Sequence, residues 1–109
     1  MTFPAIGYLR KDVSGEQQRW DETQIRRLAK RLGYNLCKTI VFTDRTPNPV
    51  GQLINTATGT GAEALFVPSA EHFDGVVPAD LVKVTDVIIV ASQSTYARWP
   101  TGELPVLDR

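Results

Sequence analysis

The stretch WDETQIRRLAKRLGYNLCKTIVFTD, residues 20–44, decides the fold of this chain, because a helical pattern passes directly into a strand pattern within it. From Trp20 to Leu32 apolar residues return at helical spacing, and Gly33 stands where a helix stops. Residues 34–44 are rich in β-branched and aromatic side chains, which favour a strand. The stretch therefore predicts a helix that is followed, after one glycine, by a strand.

The same alternation continues on both sides of that stretch. A strand pattern precedes it, and further strand and helix patterns follow it, at residues 3–9, 50–58, 62–69, 77–84 and 86–92. Strands that alternate with helices through short connections form a parallel sheet with right-handed crossovers. The sequence therefore predicts an α/β fold of three layers, with a four-stranded, mainly parallel sheet flanked by helices.

The length of 109 residues is that of one domain with a core of its own. We predict an α/β domain over residues 1–95 and an irregular tail over residues 96–109, which Pro100 and Pro105 interrupt. Tyr96 and Trp99 allow two interpretations, since aromatic side chains at such a place either anchor a partner or cover the edge of a sheet.

The composition argues against several classes of protein. No run of about 18 apolar residues is present, so no membrane span is expected. Cys37 is the single cysteine and His72 the single histidine, which excludes an internal disulfide and a zinc site built from such residues. Cys37 lies in an apolar strand pattern and is predicted to be a small core residue. The N-terminus lacks the pattern of a secretory signal. We expect a cytoplasmic protein without metal, cofactor or membrane association.

The charges balance over the whole chain but not along it. The first fifty residues carry nine basic and five acidic side chains, and the remainder carries three basic and seven acidic ones. A neutral total gives no strong general attraction to a polyanion, although a local basic surface can still bind nucleic acid. A solvated helix face is the simpler interpretation of the basic residues on the first long helix. The candidate nucleic-acid-binding residues are Arg10, Lys11, Arg26, Arg27, Lys30 and Arg31.

Three segments resemble the N-terminal catalytic domain of the serine recombinases, the resolvase and invertase family. They are IGYLR at 6–10, QIRRLAKRLGY at 24–34 and VFTD at 41–44, and the resemblance extends from about residue 5 to residue 92. It implies the fold of that domain. It also implies a serine nucleophile that attacks a DNA phosphodiester, with several arginines around the phosphate to neutralise the charge that develops.

The start of the catalytic pattern is only partly kept. Arg10 matches the arginine that precedes the family's nucleophile by two positions, but the residue two positions after it is Asp12. Ser14 would need a loop two residues longer to reach the nucleophile's place. Asp44 matches the family's acidic residue at the end of the second strand.

The arginine-containing signature after the third strand is replaced. Glu71 stands where the family has aspartate, and His72 and Gly75 stand at its two arginine positions. Loss of one such donor typically costs about 3 kcal/mol of transition-state stabilisation. We therefore predict a domain without recombinase activity that acts as an interaction or regulatory module. It would self-associate or pair with another protein through its sheet edge or its aromatic tail.

Other functions stay open at this level. One is a DNA-binding accessory, or residual recombinase-type activity through Ser14. Another is a small serine hydrolase, in which Ser14, His72 and Asp44 would form a triad. A serine before a glycine is more often a turn or cap residue, and no Gly-x-Ser-x-Gly elbow is present.

Overall fold

The computed structural model describes residues 2–98, most of which lie in alternating strands and helices. Two 3-10 turns, Gly15–Gln17 and Ala70–Phe73, complete the regular structure of that range. The strands are β1 Phe3–Arg10, β2 Tyr34–Phe42, β3 Ala64–Val67, β4 Asp86–Ile89 and β5 Ser94–Tyr96. The helices are α1 Lys11–Ser14, α2 Gln18–Arg31, α3 Pro49–Thr60 and α4 Ala79–Val82.

The strands form one sheet in the order β2-β1-β3-β4-β5. The first four strands of this order are parallel to one another, and β5 runs antiparallel to β4. The predicted α/β class with a mainly parallel sheet is confirmed, but the predicted number of four strands is wrong. The fifth strand follows a tight turn closed by a hydrogen bond from the Gln93 N–H to the Val90 carbonyl (3.2 Å). Gln93 adopts a left-handed conformation there (φ 54°), for which the sequence shows no glycine signal.

Helices cover both faces of the sheet, which gives the three predicted layers. On one face, Ile6 and Tyr8 of β1 pack with Leu53 of α3 and Leu81 of α4. The opposite face packs against α2, whose buried residues are Ile25, Leu28 and Ala29. Because side chains alternate along a strand, neighbouring residues of β1 contribute to different layers. In the described range, no helix is both long and apolar enough to cross a membrane.

Two residues of the predicted apolar stripe of α2 are not buried. Trp20 is 59% exposed and Leu32 is 49% exposed. Trp20 lies five residues before Ile25, which at about 3.6 residues per turn brings it towards the far side of the helix. Leu32 follows the last residue of α2 and therefore lies beyond the turns that pack on the sheet. The helix itself is confirmed, with a narrower buried face than predicted.

Cys37 is exposed, so its assignment to the core is wrong. The strand β2 lies at the edge of the sheet and pairs only with β1. The register passes from Ala5–Leu36 to Ile6–Lys38, so that Cys37 is the extra residue of a β-bulge. An apolar strand pattern does not by itself distinguish an edge strand from an interior one, which is why the sequence misplaced this residue.

Candidate functional site

The carboxyl ends of β1 and β3, together with the turns that follow them, carry most of the residues singled out in the sequence. Arg10 ends β1 and leads directly into α1, which contains Ser14. His72 lies in the 3-10 turn that follows β3, the strand next to β1. Carboxyl ends of parallel strands are the usual place for ligands in α/β sheets.

The guanidinium of Arg10 is held by two carboxylates. Its Nη2 and Nε lie 2.6 and 3.2 Å from the two carboxylate oxygens of Asp12, and its Nη1 lies 2.7 Å from Oδ1 of Asp74. The hydrogen bonds to Asp12, and secondarily to Asp74, raise the pKa of Arg10 further above its already high value. The bond from Arg10 is also the main reason why the pKa of Asp12 is lowered. Arg10 and Asp12 are therefore held in their charged forms near neutral pH.

His72 is buried, with 2% of its surface exposed, and it fastens its turn to β1. Its Nδ1 accepts a hydrogen bond from the backbone N–H of Arg10 (2.8 Å), and its carbonyl oxygen accepts one from the hydroxyl of Tyr8 (2.7 Å). An accepting Nδ1 belongs to a neutral ring that carries its proton on Nε2. Burial lowers the pKa of His72, against an opposing influence of Asp21, and so favours that neutral ring.

Ser14 is bonded to Asp21 rather than to the histidine. Its hydroxyl donates to Oδ2 of Asp21 (2.6 Å), and the residue is only 7% exposed. This bond joins the end of α1 to the first turn of α2. Among the hydrogen bonds of residues 2–98, none links Ser14 to His72 or to Asp44.

Asp44 and Glu71 contribute less to the cluster. Asp44 is exposed in the loop after β2, and its backbone N–H helps to lower the pKa of the nearby Asp12. Glu71 is exposed, and its carbonyl oxygen accepts the backbone N–H of Asp74 (2.9 Å). The structure thus brings Arg10 and His72 together, and it places Ser14 and Asp44 at the margin of that pair.

Sequence reasoning missed the partners of these residues. Asp12 was noted only as the residue at the nucleophile's position, and Asp21 was not considered as a partner of Ser14. Asp74 reaches Arg10 across 64 positions of the chain, from a left-handed conformation (φ 58°). The Asp-Gly pair at 74–75 is a turn signal, but it does not show which residue the carboxylate meets. The spacing of Arg10 and Asp12 was the one available sign of a local ion pair.

The cavity beside this cluster is small. It measures about 90 Å³ and is lined on the sheet side by Tyr8, Arg10 and His72, and on the helix side by Val50 and Leu53 of α3. Small-molecule sites usually measure roughly 300 Å³ or more. This cavity therefore suits a few atoms rather than a nucleotide. Within residues 2–98, no group of three or more histidine, cysteine or acidic side chains is placed to hold a metal ion.

The candidate nucleic-acid-binding residues do not form one free basic surface. Arg10 is paired with acidic side chains, as described above. Lys11 is exposed on α1. The four candidates on α2 are exposed as well, and the helical repeat divides them between two flanks, one with Arg27 and Arg31 and the other with Arg26 and Lys30. Tyr96 packs partly buried against the sheet, whereas Trp99 lies outside the described residues.

No protein-family model and no curated protein matches this chain. Among solved structures, its fold is similar to the C-terminal catalytic domain of ISC1926 TnpA, an IS607-like serine recombinase. The TM-score is 0.63 at 10% sequence identity, and the similarity covers 80% of this chain and 67% of that one. The chain therefore has the fold of a serine recombinase catalytic domain. The resemblance read from the sequence is supported at the level of the fold, and sequence identity this low carries no activity across.

Proposed function

We propose that this chain is a resolvase-like domain that does not exchange phosphodiesters and instead serves as a protein-interaction or regulatory module. The observation that carries this proposal is the engagement of the Arg10 guanidinium by Asp12 and Asp74. In the resembling family an arginine at this position would meet a phosphate. Here the N–H groups of the guanidinium already donate to two carboxylates.

Electrostatics explains why this arrangement opposes recombinase chemistry. A phosphodiester that approaches Arg10 meets two carboxylates against one guanidinium, so the cluster repels an anion. Formation of a covalent phosphoserine also requires positive charge where the attacking oxygen and the phosphate meet. At the two family arginine positions after β3 stand His72, which is neutral and buried, and Gly75.

The surroundings of Ser14 support the same proposal. A hydroxyl that attacks DNA has to reach the surface, whereas this residue is 7% exposed and bonded to Asp21. The carboxylate of Asp21 accepts a hydrogen bond from the serine hydroxyl but supplies no positive charge to the reaction. Ser14 is well placed to join α1 to α2, which is a structural role.

An interaction role also agrees with the exposed surface. Trp20 and Val76 are large apolar side chains that are 59% and 74% exposed. The outer edge of β2 is less suited to strand pairing, since Cys37 forms a bulge there and the charged Lys38 follows it. Bulges and lysines are features that protect edge strands from pairing with other chains. The helix faces are therefore the better candidates for a partner.

The test is an assay for nicking and covalent capture of supercoiled plasmid DNA. We expect the purified chain to leave the plasmid supercoiled and to form no protein–DNA adduct that survives detergent. Ser14→Ala is the matched control. Nicking, or a seryl–DNA adduct, that appears with the natural chain and disappears with Ser14→Ala would overturn the proposal.

A second candidate function, DNA binding without chemistry, is favoured by the exposed basic residues of α2. It requires an affinity for duplex DNA that falls steeply as salt is added. A gel-shift series at low and high salt separates the two candidates. A salt-sensitive shift at low protein concentration would favour DNA binding, whereas the interaction module predicts no shift.

A further inference from the structure

A groove runs along one flank of α2, between that helix and the chain that follows β3 and β4. Its first part, of about 270 Å³, lies between Trp20 and Ala91. Its second part, of about 210 Å³, extends to Arg31 and Gln93. Gln24 and Val90 line both parts, so the two form one continuous depression. It lies on the side of α2 away from the β2 edge of the sheet.

The groove has the length of a short peptide segment. Trp20 and Arg31 are eleven residues apart on α2, which corresponds to about 16 Å at 1.5 Å per residue. An extended chain covers that distance with about five residues, at roughly 3.3 Å each. The wall opposite the helix contains Val90 and Ala91, which offer apolar surface, and the buried Pro68.

Two side chains on the helix wall lack partners suited to them. Trp20 is 59% exposed, although a tryptophan is among the residues most often buried at interfaces. Gln24 Nε2 is buried and has no hydrogen-bond partner, and it is the one such side-chain nitrogen or oxygen among residues 2–98. A buried donor without an acceptor costs free energy, which would be recovered if the Gln24 side chain turned outward and donated to a carbonyl oxygen seated in the groove.

The charges of the groove differ between its ends. Asp21 lies at the Trp20 end, whereas Arg27 and Arg31 lie at the other. A uniform polyanion such as duplex DNA would be attracted at one end and repelled at the other. An acidic side chain suits the end with Arg27 and Arg31 but would be repelled by Asp21 at the other end, where the exposed ring of Trp20 offers a contact for an apolar side chain.

We infer that this groove binds an extended peptide segment of a partner protein. An apolar side chain of the segment packs on Trp20, and an acidic side chain lies between Arg27 and Arg31. The Gln24 side chain turns outward and donates a hydrogen bond to a backbone carbonyl of the segment. The inference rests on the proposed function as an interaction module, and it names the surface and the kind of partner.

The test starts with a displayed library of random heptapeptides, selected on the full chain. We expect enriched peptides to carry Asp or Glu about three to five positions away from a large apolar residue, because that is the spacing at which an extended chain spans the groove. Binding of one enriched, fluorescently labelled peptide is then measured by anisotropy. Arg27→Glu/Arg31→Glu is expected to weaken it by about tenfold or more, since both charge contacts reverse sign. Trp20→Ala is expected to weaken it by a similar factor.

The chain offers a matched control on the same helix. Arg26→Glu/Lys30→Glu makes the same change of charge on the opposite flank of α2 and is expected to leave binding within about twofold. Equal loss in both double variants, or a library without enrichment, would overturn the inference. Circular dichroism melts show whether each variant is folded. If a double variant is unfolded, Trp20→Ala, which changes no charge, serves as the second variant.

Other occupants are outcomes of the same experiment. If the natural chain sediments as a dimer and Arg27→Glu/Arg31→Glu dissociates that dimer, the groove binds a second copy of the chain. This result would overturn the peptide inference. Duplex DNA that competes with the labelled peptide would assign the groove to nucleic acid. These outcomes leave the plasmid result unaffected, whereas Ser14-dependent nicking would overturn the proposed function whatever the peptide result.

Discussion

The carboxylate of Asp12 forms a two-point pair with the guanidinium of Arg10, although only Lys11 separates the two residues in the chain. The pair forms because Arg10 ends β1 and the chain turns at once into α1, which brings Asp12 back beside the guanidinium. Asp74 completes the enclosure from the turn after β3. The positive charge at the end of β1 is therefore neutralised within the molecule.

Removal of the two carboxylate charges should make Arg10 available to an anion. We expect Asp12→Asn/Asp74→Asn to bind inorganic phosphate at least about fivefold more tightly than the natural chain. The reason is that phosphate no longer competes with the Asp12 and Asp74 carboxylates for the Arg10 guanidinium. The measurement is a phosphate titration followed by the Arg10 Nε–H resonance. Asp80→Asn, which removes an exposed carboxylate near Lys83, is the control. An unchanged phosphate affinity in the double variant would show that the carboxylates do not limit access to Arg10.

The stability of the fold should decrease at mildly acidic pH because of His72. Burial lowers the pKa of His72 in the folded state, so the unfolded chain binds more protons than the folded one below a pH of about 6.5. The contribution of the neutral His72 ring to the free energy of unfolding is therefore fully present above pH ~6.5 and is lost as the pH falls below it. The slope of this loss is at most about 1.4 kcal/mol per pH unit. Protonation also turns Nδ1 from an acceptor into a donor that faces the Arg10 N–H.

Urea unfolding between pH 5 and 8 measures this dependence. His72→Asn keeps an acceptor of similar reach and does not titrate, so its stability should change less with pH below about 6.5. The chain contains no other histidine, which makes the assignment direct. An equally steep decrease in His72→Asn would assign the effect to carboxylates instead.

The sequence predicted the class of fold because its signals are local. The helical repeat of residues 20–32 and its glycine stop led to α2, and the strand patterns led to the four parallel strands. It did not predict β5, whose turn depends on Gln93 in a left-handed conformation. Nor did it show that β2 lies at the edge, since strand order follows from the packing of the whole domain.

The candidate site was predictable only in part, for a similar reason. Family resemblance pointed to Arg10 and His72, which do contact one another, but through a backbone N–H and a ring nitrogen. A sequence pattern specifies residue types and not which atom of each residue meets the other. Asp74 lies 64 positions from Arg10, so its contact depends on the completed fold.

Gly7 should be intolerant of a side chain, unlike Gly59. A Cβ at Gly7 would lie 3.0 Å from both Ile25 and Thr39, because α2 approaches β1 closely at this point and Thr39 of β2 pairs with Gly7 in the sheet. We expect Gly7→Ala to destabilise the fold by about 1–3 kcal/mol through overpacking. Gly59 lies in α3 with nothing within 4 Å of such a Cβ, so Gly59→Ala should stabilise by up to about 1 kcal/mol. Thermal melts measure both variants, and changes of the same sign in their melting temperatures would contradict this account.

Ser14 should not behave as the nucleophile of a serine hydrolase. Its hydroxyl is buried and bonded to Asp21, and the His72 Nδ1 is engaged by the Arg10 N–H. Activation of a serine requires a base within hydrogen-bond reach and donors for the oxyanion. We therefore expect a fluorophosphonate probe to leave Ser14 unmodified in the folded chain, as judged by mass spectrometry of the intact protein and its peptides. A known serine hydrolase in the same reaction confirms that the probe is active. If the natural chain is labelled and Ser14→Ala is not, the serine is reactive in spite of its burial.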